Sequence, residues 1–400
     1  MQEATTSFYG LGIAPKLIDV LEKLKFVVPT PIQHKSIPIA LEGKDIIGIA
    51  QTGTGKTMAF GIPMVQRLMS TKGRGLVIVP TRELAIQVKE SIDKIARAFN
   101  MKLAVLIGGD PIYQQIKILA QGPRILIATP GRLIDLMEQK KVRLNDVQIL
   151  VLDEADRMLD MGFAPQIDRI LKAMPKERQT ALFSATMPES IRKIASAYMQ
   201  VPLPIEVAPS GTAAERVTHE LFIVGKNHKK ELLGKLLNQY RGSILLFCRT
   251  KISTAKTARS IAQMGHSATE IHSNRSLAQR RKALEGFKNG RYRVLVATDI
   301  AARGIDVTGL ELVINYDLPD DTENYVHRIG RTGRAGLEGH AITFASPDEF
   351  NGVRNIERLI KTDIPRSSHP DMPSEQFDKP KTIYSFKSSR NRPHSHRRRR

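Results

Sequence analysis

Short apolar runs rich in β-branched residues alternate with longer helical patterns along most of the chain, and this alternation constrains the fold more than any other feature. The runs lie at 46–50, 76–79, 103–107, 125–128, 149–152 and 181–183. Continuous apolar runs separated by helix-length segments predict a mainly parallel sheet covered by helices. The same alternation returns at 220–224, 243–248, 293–297, 311–315 and 341–345. Since 400 residues exceed what one hydrophobic core ordinarily serves, the two series predict two α/β domains in tandem. A helical stretch at 189–199 closes the first series. The following 201–214 holds three prolines and one glycine and turns poor in bulky apolar residues, which places a linker at 208–214. The expected domains are therefore 1–207 and 215–365. From 366 the periodicity stops, and 379–400 contains nine Lys or Arg and no acid, so 366–400 is expected to be a disordered basic tail.

Charge then narrows the partners. Lys and Arg number 61 against 40 Asp and Glu, a net +21 that calls for a polyanion. Residues 1–9 are polar and carry Glu3, unlike a secretory leader, and no stretch approaches the roughly 18 apolar residues of a membrane span. Nucleic acid is therefore expected and a membrane is not. The single cysteine, Cys248, sits in an apolar run, which leaves neither a disulfide framework nor a cysteine zinc site. A buried thiol and a reducing cytoplasm fit that usage.

Ala50-Gln51-Thr52-Gly53-Thr54-Gly55-Lys56-Thr57 follows one expected strand and precedes a helical pattern. This is the setting of a phosphate-binding loop. Glycines let backbone N–H groups turn onto phosphate, and the helix N-terminus adds a positive dipole. Lys56 is expected to reach the β and γ phosphates of a nucleotide, and the Thr57 hydroxyl to take a place on Mg²⁺. Ala50 stands where the general pattern has its first glycine. Asp153-Glu154-Ala155-Asp156 ends the run at 149–152, where one acid can hold Mg²⁺ through water and its neighbour can orient an attacking water. Far downstream, His327-Arg328-Ile329-Gly330-Arg331-Thr332-Gly333-Arg334 spaces three arginines with glycines, a layout suited to neutralising charge on a γ phosphate.

Three further loops each follow an apolar run: Pro80-Thr81-Arg82-Glu83-Leu84-Ala85, Gly108-Gly109 and Thr129-Pro130-Gly131-Arg132. They should cluster at the carboxyl ends of sheet strands, where open α/β folds bind ligands. Backbone N–H groups, small hydroxyls and arginines suit phosphates rather than bases, so little sequence choice is expected.

Together with Ser184-Ala185-Thr186, these motifs occur in the order and spacing of the DEAD-box RNA helicases, which the chain closely resembles from about Phe8 to Asp348. The resemblance implies two tandem RecA-like domains of the P-loop NTPase class, helicase superfamily 2, with RNA-dependent ATP hydrolysis coupled to local duplex opening. It implies adenine recognition by Gln33, with Phe8 as the upstream aromatic, and phosphate binding by Gln51, Thr52, Gly53, Thr54, Gly55, Lys56 and Thr57. An amide can pair a donor and an acceptor edge of adenine. Asp306 would reach the ribose. Glu154, Lys56, Asp153, Arg331 and Arg334 would be catalytic, the two arginines being supplied by the second domain. Asp153 and Thr57 would hold Mg²⁺ largely through water. Asp156, Ser184, Thr186 and His327 would couple hydrolysis to RNA.

The RNA backbone would lie on Pro80, Thr81, Arg82, Gly109, Thr129, Pro130, Gly131 and Arg132, continuing over Arg249, Thr250, Thr298, Asp299 and Gly304. RNA would be told from DNA by its 2′-hydroxyl. Two positions depart from the family: Lys25 stands at a common glycine, and Leu277 replaces the glutamine of a Gln-x-x-Arg motif that keeps Arg280. The second change is expected to weaken a local contact. The turn His272-Ser273-Asn274-Arg275, the stretch 297–306 and the basic tail look most like the bacterial RhlE-like branch, implying a cytoplasmic monomer with ribosome-assembly or RNA-decay proteins as candidate partners. Two rival readings are an ATP-loaded clamp that hydrolyses only for release and a DNA translocase. The intact Glu154, Arg331 and Arg334 favour turnover over the clamp, while Asp153–Asp156 and Gln33 speak against the translocase.

Overall fold

The structure, a computed structural model, describes residues 7–50, 53–207, 217–302, 307, 310–332, 339–373 and 375–378. In its amino-terminal half, β1 (Ile46–Ile49), β2 (Arg74–Ile78), β3 (Leu103–Leu106), β4 (Ile125–Ala128), β5 (Val147–Asp153), β6 (Gln179–Ser184) and β7 (Leu203–Glu206) form one sheet in the order β3-β4-β2-β5-β6-β1-β7. The second half contributes β8 (Val217–Ile223), β9 (Ile244–Phe247), β10 (Ala268–Ile271), β11 (Val294–Ala297), β12 (Leu312–Asn315), β13 (Gly339–Ala345) and β14 (Arg366–Ser367). Their order is β10-β11-β9-β12-β13-β8-β14. All described strand pairs are parallel. Adding seven to each strand number of the first sheet yields the second. The halves therefore repeat one doubly wound topology, the RecA-like pair expected from the motifs.

Period-two packing explains why the strands inside the sheets carry apolar runs. Val77 and Val79 face one buried cluster while Leu76 and Ile78 face the other. Leu245 and Phe247 divide from Ile244 and Leu246 in the same way across the second sheet. Helices on both faces leave no wet side, so residues 76–79 and 244–247 are apolar on both faces. Cys248 is fully buried among these groups, and burial pushes its thiol up to about 12, as suits an inert core residue. No helix among the described residues is long and apolar enough to cross a membrane.

The expected linker at 208–214 lies outside the described residues. The expected tail at 366–400 begins too early, because the chain remains docked through Asp378. β14 pairs with β8, Glu375 Oε1 accepts the Gly225 N–H at 2.9 Å, and the rings of Phe377 and Phe350 meet edge-on at 5.3 Å. A two-residue edge strand and a few anchor side chains create no hydrophobic period, which is why this segment reads as tail. Residues 379–400 lie outside the described residues.

Candidate functional site

Helix Lys56–Ser70 follows β1, and its N-cap Gly55 takes the left-handed conformation, φ 92°. A side chain there would also strike Gln33 and Thr30, so glycine is required by backbone and by space. Gly53 is likewise left-handed, φ 88°, while Gln51 and Thr52 lie outside the described residues. Lys56 is buried and its Nζ donates to the Ala50 carbonyl at 3.0 Å, curling back over the loop mouth.

Gln33 is buried against this loop: Nε2 donates to Gly55 O at 3.0 Å and Oε1 accepts the Thr30 N–H at 3.0 Å, capping helix Pro31–Leu41. Its amide thus ties the upstream helix to the phosphate loop. Phe8 is 3% exposed and packs in the first domain's core. Lys25 takes φ 63°, closing helix Pro15–Lys23 as the residue after its C-cap, with Lys25 N–H donating to Glu22 O and Phe26 N–H to Leu21 O. This is the left-handed cap where glycine is usual, so the lysine preserves the loop's geometry despite its side chain.

β5 delivers Asp153 to the carboxyl edge beside this loop. Glu154 then breaks the strand in the left-handed region, φ 54°, and caps helix Ala155–Asp160. Both carboxylates are buried. Burial raises Asp153 to about 6, opposed by Lys56 and reinforced by Glu154. Burial would raise Glu154 as well, but Arg157, Lys56 and Arg331 hold it at about 2. Arg157, itself 4% exposed, forms an ion pair with Glu154 from one turn downstream. No motif reading singled out Arg157. Its signal was a cation three residues after an acid at a helix start, a common surface pattern that here is buried.

Asp156 is the joint between the two loops that follow β5 and β6. Its Oδ2 accepts the N–H groups of Ala185 and Thr186, each at 2.9 Å, and the Thr186 hydroxyl at 3.2 Å; its own N–H donates to Ser184 Oγ at 3.3 Å. Across the domain boundary, His327 lies beside these groups. Burial, Arg157 and Arg331 lower it to about 4 against the pull of Asp156 and Glu154, so its imidazole is neutral at pH 7. Arg331 is buried in the same cleft, near enough to bias Glu154. Arg334, Asp306 and Gly304 lie outside the described residues.

The backbone-directed loops occupy equivalent ends of the two repeats. Thr81, after β2, caps helix Arg82–Ala96 by accepting Leu84 N–H. Thr250, after β9, caps helix Lys251–Gln263 by accepting Ser253 N–H. Thr129 precedes helix Pro130–Glu138 after β4, and Thr298 precedes helix Asp299–Ala302 after β11. Each site thus opens a helix N-terminus at the carboxyl edge of a sheet, a suitable place for phosphate. Pro80 is buried at the turn, the Arg82 guanidinium lies against Gly108 and Gly109, and Gly131 has open space around it. Arg132 donates to Asp110 O at 3.2 Å. Arg249 reaches Leu318 O, Asp320 and Glu349. Both oxygens of Asp299 hold Arg328, which is 1% exposed, at 2.6 and 2.8 Å.

Among the described residues, the second repeat shows no second nucleotide loop. Lys229, the first residue of helix Lys229–Gln239, matches Lys56, and its Nζ pairs with Asp317 at 3.2 Å beyond β12. Where phosphate would meet that helix start, the Glu375 carboxylate takes the Gly225 N–H.

The halves also meet along helix Leu277–Lys288. Arg280 pairs with Glu83 at 2.9 Å and Arg281 with Asp110 at 3.2 Å. Leu277 was expected to weaken this region. It is 4% exposed and belongs to the first domain's core cluster, so its contact here is apolar.

Comparison with known proteins agrees with the two-repeat fold. The model of the DEAD/DEAH box helicase family matches residues 30–194, and that of the helicase conserved C-terminal domain matches residues 228–336. The ATP-dependent RNA helicase CshA of Listeria monocytogenes is 44% identical over 359 residues, covering 89% of this chain and 69% of its own. The structure of S. cerevisiae Dbp5 bound to RNA and ADP BeF3 is similar with a TM-score of 0.80 at 29% identity, covering 90% of this chain and 95% of that one. Mss116p bound to ssRNA and AMP-PNP gives 0.83 at 28% identity, covering 90% and 78%.

Proposed function

The chain belongs to the DEAD-box family of ATP-dependent RNA helicases, and from that premise we propose how its own residues divide the work of RNA-dependent ATP hydrolysis and local RNA remodelling. The carrying observation is the cleft in which Lys56, Asp153 and Glu154 of the first repeat face His327 and Arg331 of the second. Gly53, Thr54, Gly55, Lys56 and Thr57, with Gln51 and Thr52, cradle the phosphates. Glu154, ionised because three cations surround it, orients and deprotonates the attacking water. Arg331, joined by Arg334, stabilises the charge that spreads over the γ phosphate. Gln33 sets the distance between adenine and the loop, with Phe8 supporting that segment from the core and Asp306 on the ribose.

Mg²⁺ fits this donor set. Thr57 and Asp153 offer hard oxygens, and Asp153 is a buried acid whose ionised form a cation would favour. When bound, largely through water, it would neutralise phosphate oxygens. RNA lies along the helix starts at Thr81, Thr129, Thr250 and Thr298 with Pro80, Arg82, Gly109, Pro130, Gly131, Arg132, Arg249 and Gly304. Asp299 serves that track by holding Arg328. The RNA bound in both similar structures named above supports RNA as the ligand. Asp156, Ser184, Thr186 and His327 couple the two sites. Placement in the RhlE-like branch rests on 272–275, 297–306 and the basic tail alone; a monomer in a bacterial cytoplasm, meeting ribosome-assembly or RNA-decay proteins, accompanies that placement.

Arg331→Ala tests the division of labour. RNA-stimulated hydrolysis should fall roughly 10³-fold or more. Binding of a fluorescent ATP analogue without RNA should stay within a few-fold. Equal losses in both would place Arg331 in ground-state binding instead.

A further inference from the structure

We propose that Leu277 is an apolar latch that prolongs the closed, RNA-holding state, an inference that rests on the reading of the cleft as an ATP-gated RNA grip. Leu277 opens helix Leu277–Lys288 of the second repeat, and the Ser276–Gln279 capping box fixes that helix start. Yet its side chain lies outside both buried clusters of its own domain. It is 4% exposed and belongs to the cluster that contains Val79, Leu84 and Ile107 of the first. Its Cβ lies 3.7 Å from where a Cβ on Gly109 would stand. The leucine is buried by the other domain, beside Arg82 and Gly109 of the RNA track, and separation of the domains uncovers it.

The contact differs in kind from its neighbours. Arg280–Glu83 and Arg281–Asp110 are ion pairs, whose charges are well solvated when the domains part. Leu277 has no such compensation, because water penalises its exposure in the open state. A glutamine at 277 would be hydrated when open and would lose that hydration on closing. Leucine therefore biases the equilibrium toward closure at no expense to the ATP-contacting groups, and RNA release after hydrolysis is slowed. This shifts the protein's output toward the clamp end of the range that its intact catalytic groups allow.

The test uses the full chain, fluorescein-labelled single-stranded RNA and a non-hydrolysable ATP analogue, with unlabelled RNA as chase. Leu277→Gln and Leu277→Ala should release RNA about tenfold faster than the parent, equivalent to ~1.4 kcal/mol, and Leu277→Met should restore slow release. Melting of the nucleotide-free protein and its affinity for the analogue without RNA should be unchanged in all three. Equal release rates, or loss of nucleotide-free stability in Leu277→Gln, would overturn the latch. A parent whose RNA release ignores the analogue would instead overturn the ATP-gated grip, and the latch with it.

Discussion

Glu154 and Asp153 are adjacent, equally buried carboxylates with opposite displacements, and the cause is which cations each one meets. Asp153's folded value of about 6 lies above its ordinary 3.8, so folding takes up a proton between them. Its contribution to stability is present below pH 3.8 and is lost as pH rises through about 6. Glu154 runs the other way: its contribution is present above its ordinary 4.5 and is lost only as pH falls toward 2. Asp153→Asn should therefore raise the melting temperature of the nucleotide-free protein at pH 8, by an amount equivalent to roughly 3 kcal/mol at most. That gain should shrink as pH is lowered through 6 and vanish near 4, while hydrolysis is lost. A calorimetric series without the pH trend would refute the assignment. Lys25 offers a second check at this scale. Its side chain sits at φ 63°, so Lys25→Gly should stabilise the first domain by about 1 kcal/mol in a denaturant titration with ATPase unchanged. The departure from the family at Lys25 was visible in sequence. Its consequence was not, because backbone conformation has no letter in the chain.

Among elements, legibility followed burial on two faces. β2, β5, β9 and β12 lie inside the sheets and read plainly as apolar runs. β7 and β14 are edge strands, and β7 buries only Ile205 fully. A strand paired on one side and wet on the other, with Pro204 in it, looks like the linker it was grouped with. The catalytic motifs were legible because phosphate chemistry demands fixed residue types at fixed spacing. The joint between them was named only through family resemblance, since Ser184-Ala185-Thr186 looks like any polar strand end. Its geometry now gives a prediction: Asp156 is the acceptor for three donors of the 185–186 turn. Asp156→Ala removes all three bonds and leaves two half-buried N–H groups without that acceptor, at up to roughly 1–3 kcal/mol each. Duplex unwinding should fall at least tenfold, with RNA-independent ATP binding preserved. If unwinding and analogue binding fall together, the turn supports the nucleotide site and is no joint between the two.

At the scale of the whole molecule, the two repeats share a topology but differ at the loop that follows their first strands. The second repeat keeps a lysine, Lys229, at the start of the matching helix, but it pairs with Asp317, and the Glu375 carboxylate takes the Gly225 N–H in the loop before that helix. The segment that carries Glu375 also fixes where the basic tail departs. Asp378 N–H donates to Pro347 O at 3.0 Å, Phe377 meets Phe350, and the neighbouring Glu349 pairs with Arg249 at 3.0 Å. Residues 379–400, with nine cations, therefore follow a segment docked near Arg249, a residue of the proposed RNA track. Two truncations separate anchor from tail. Removing 379–400 should raise the RNA concentration for half-maximal ATPase and flatten its dependence on log salt by ~0.7 for each phosphate that the tail had neutralised. The melting temperature should not move, because every described packing partner stays in place. Removing 366–400 should add a fall in melting temperature, since β14, the Glu375 cap and the Phe377 ring go with it. If both truncations melt alike, the 366–378 segment contributes no stability in solution. If the shorter deletion leaves the salt dependence intact, the arginines at the end of the chain do not touch RNA.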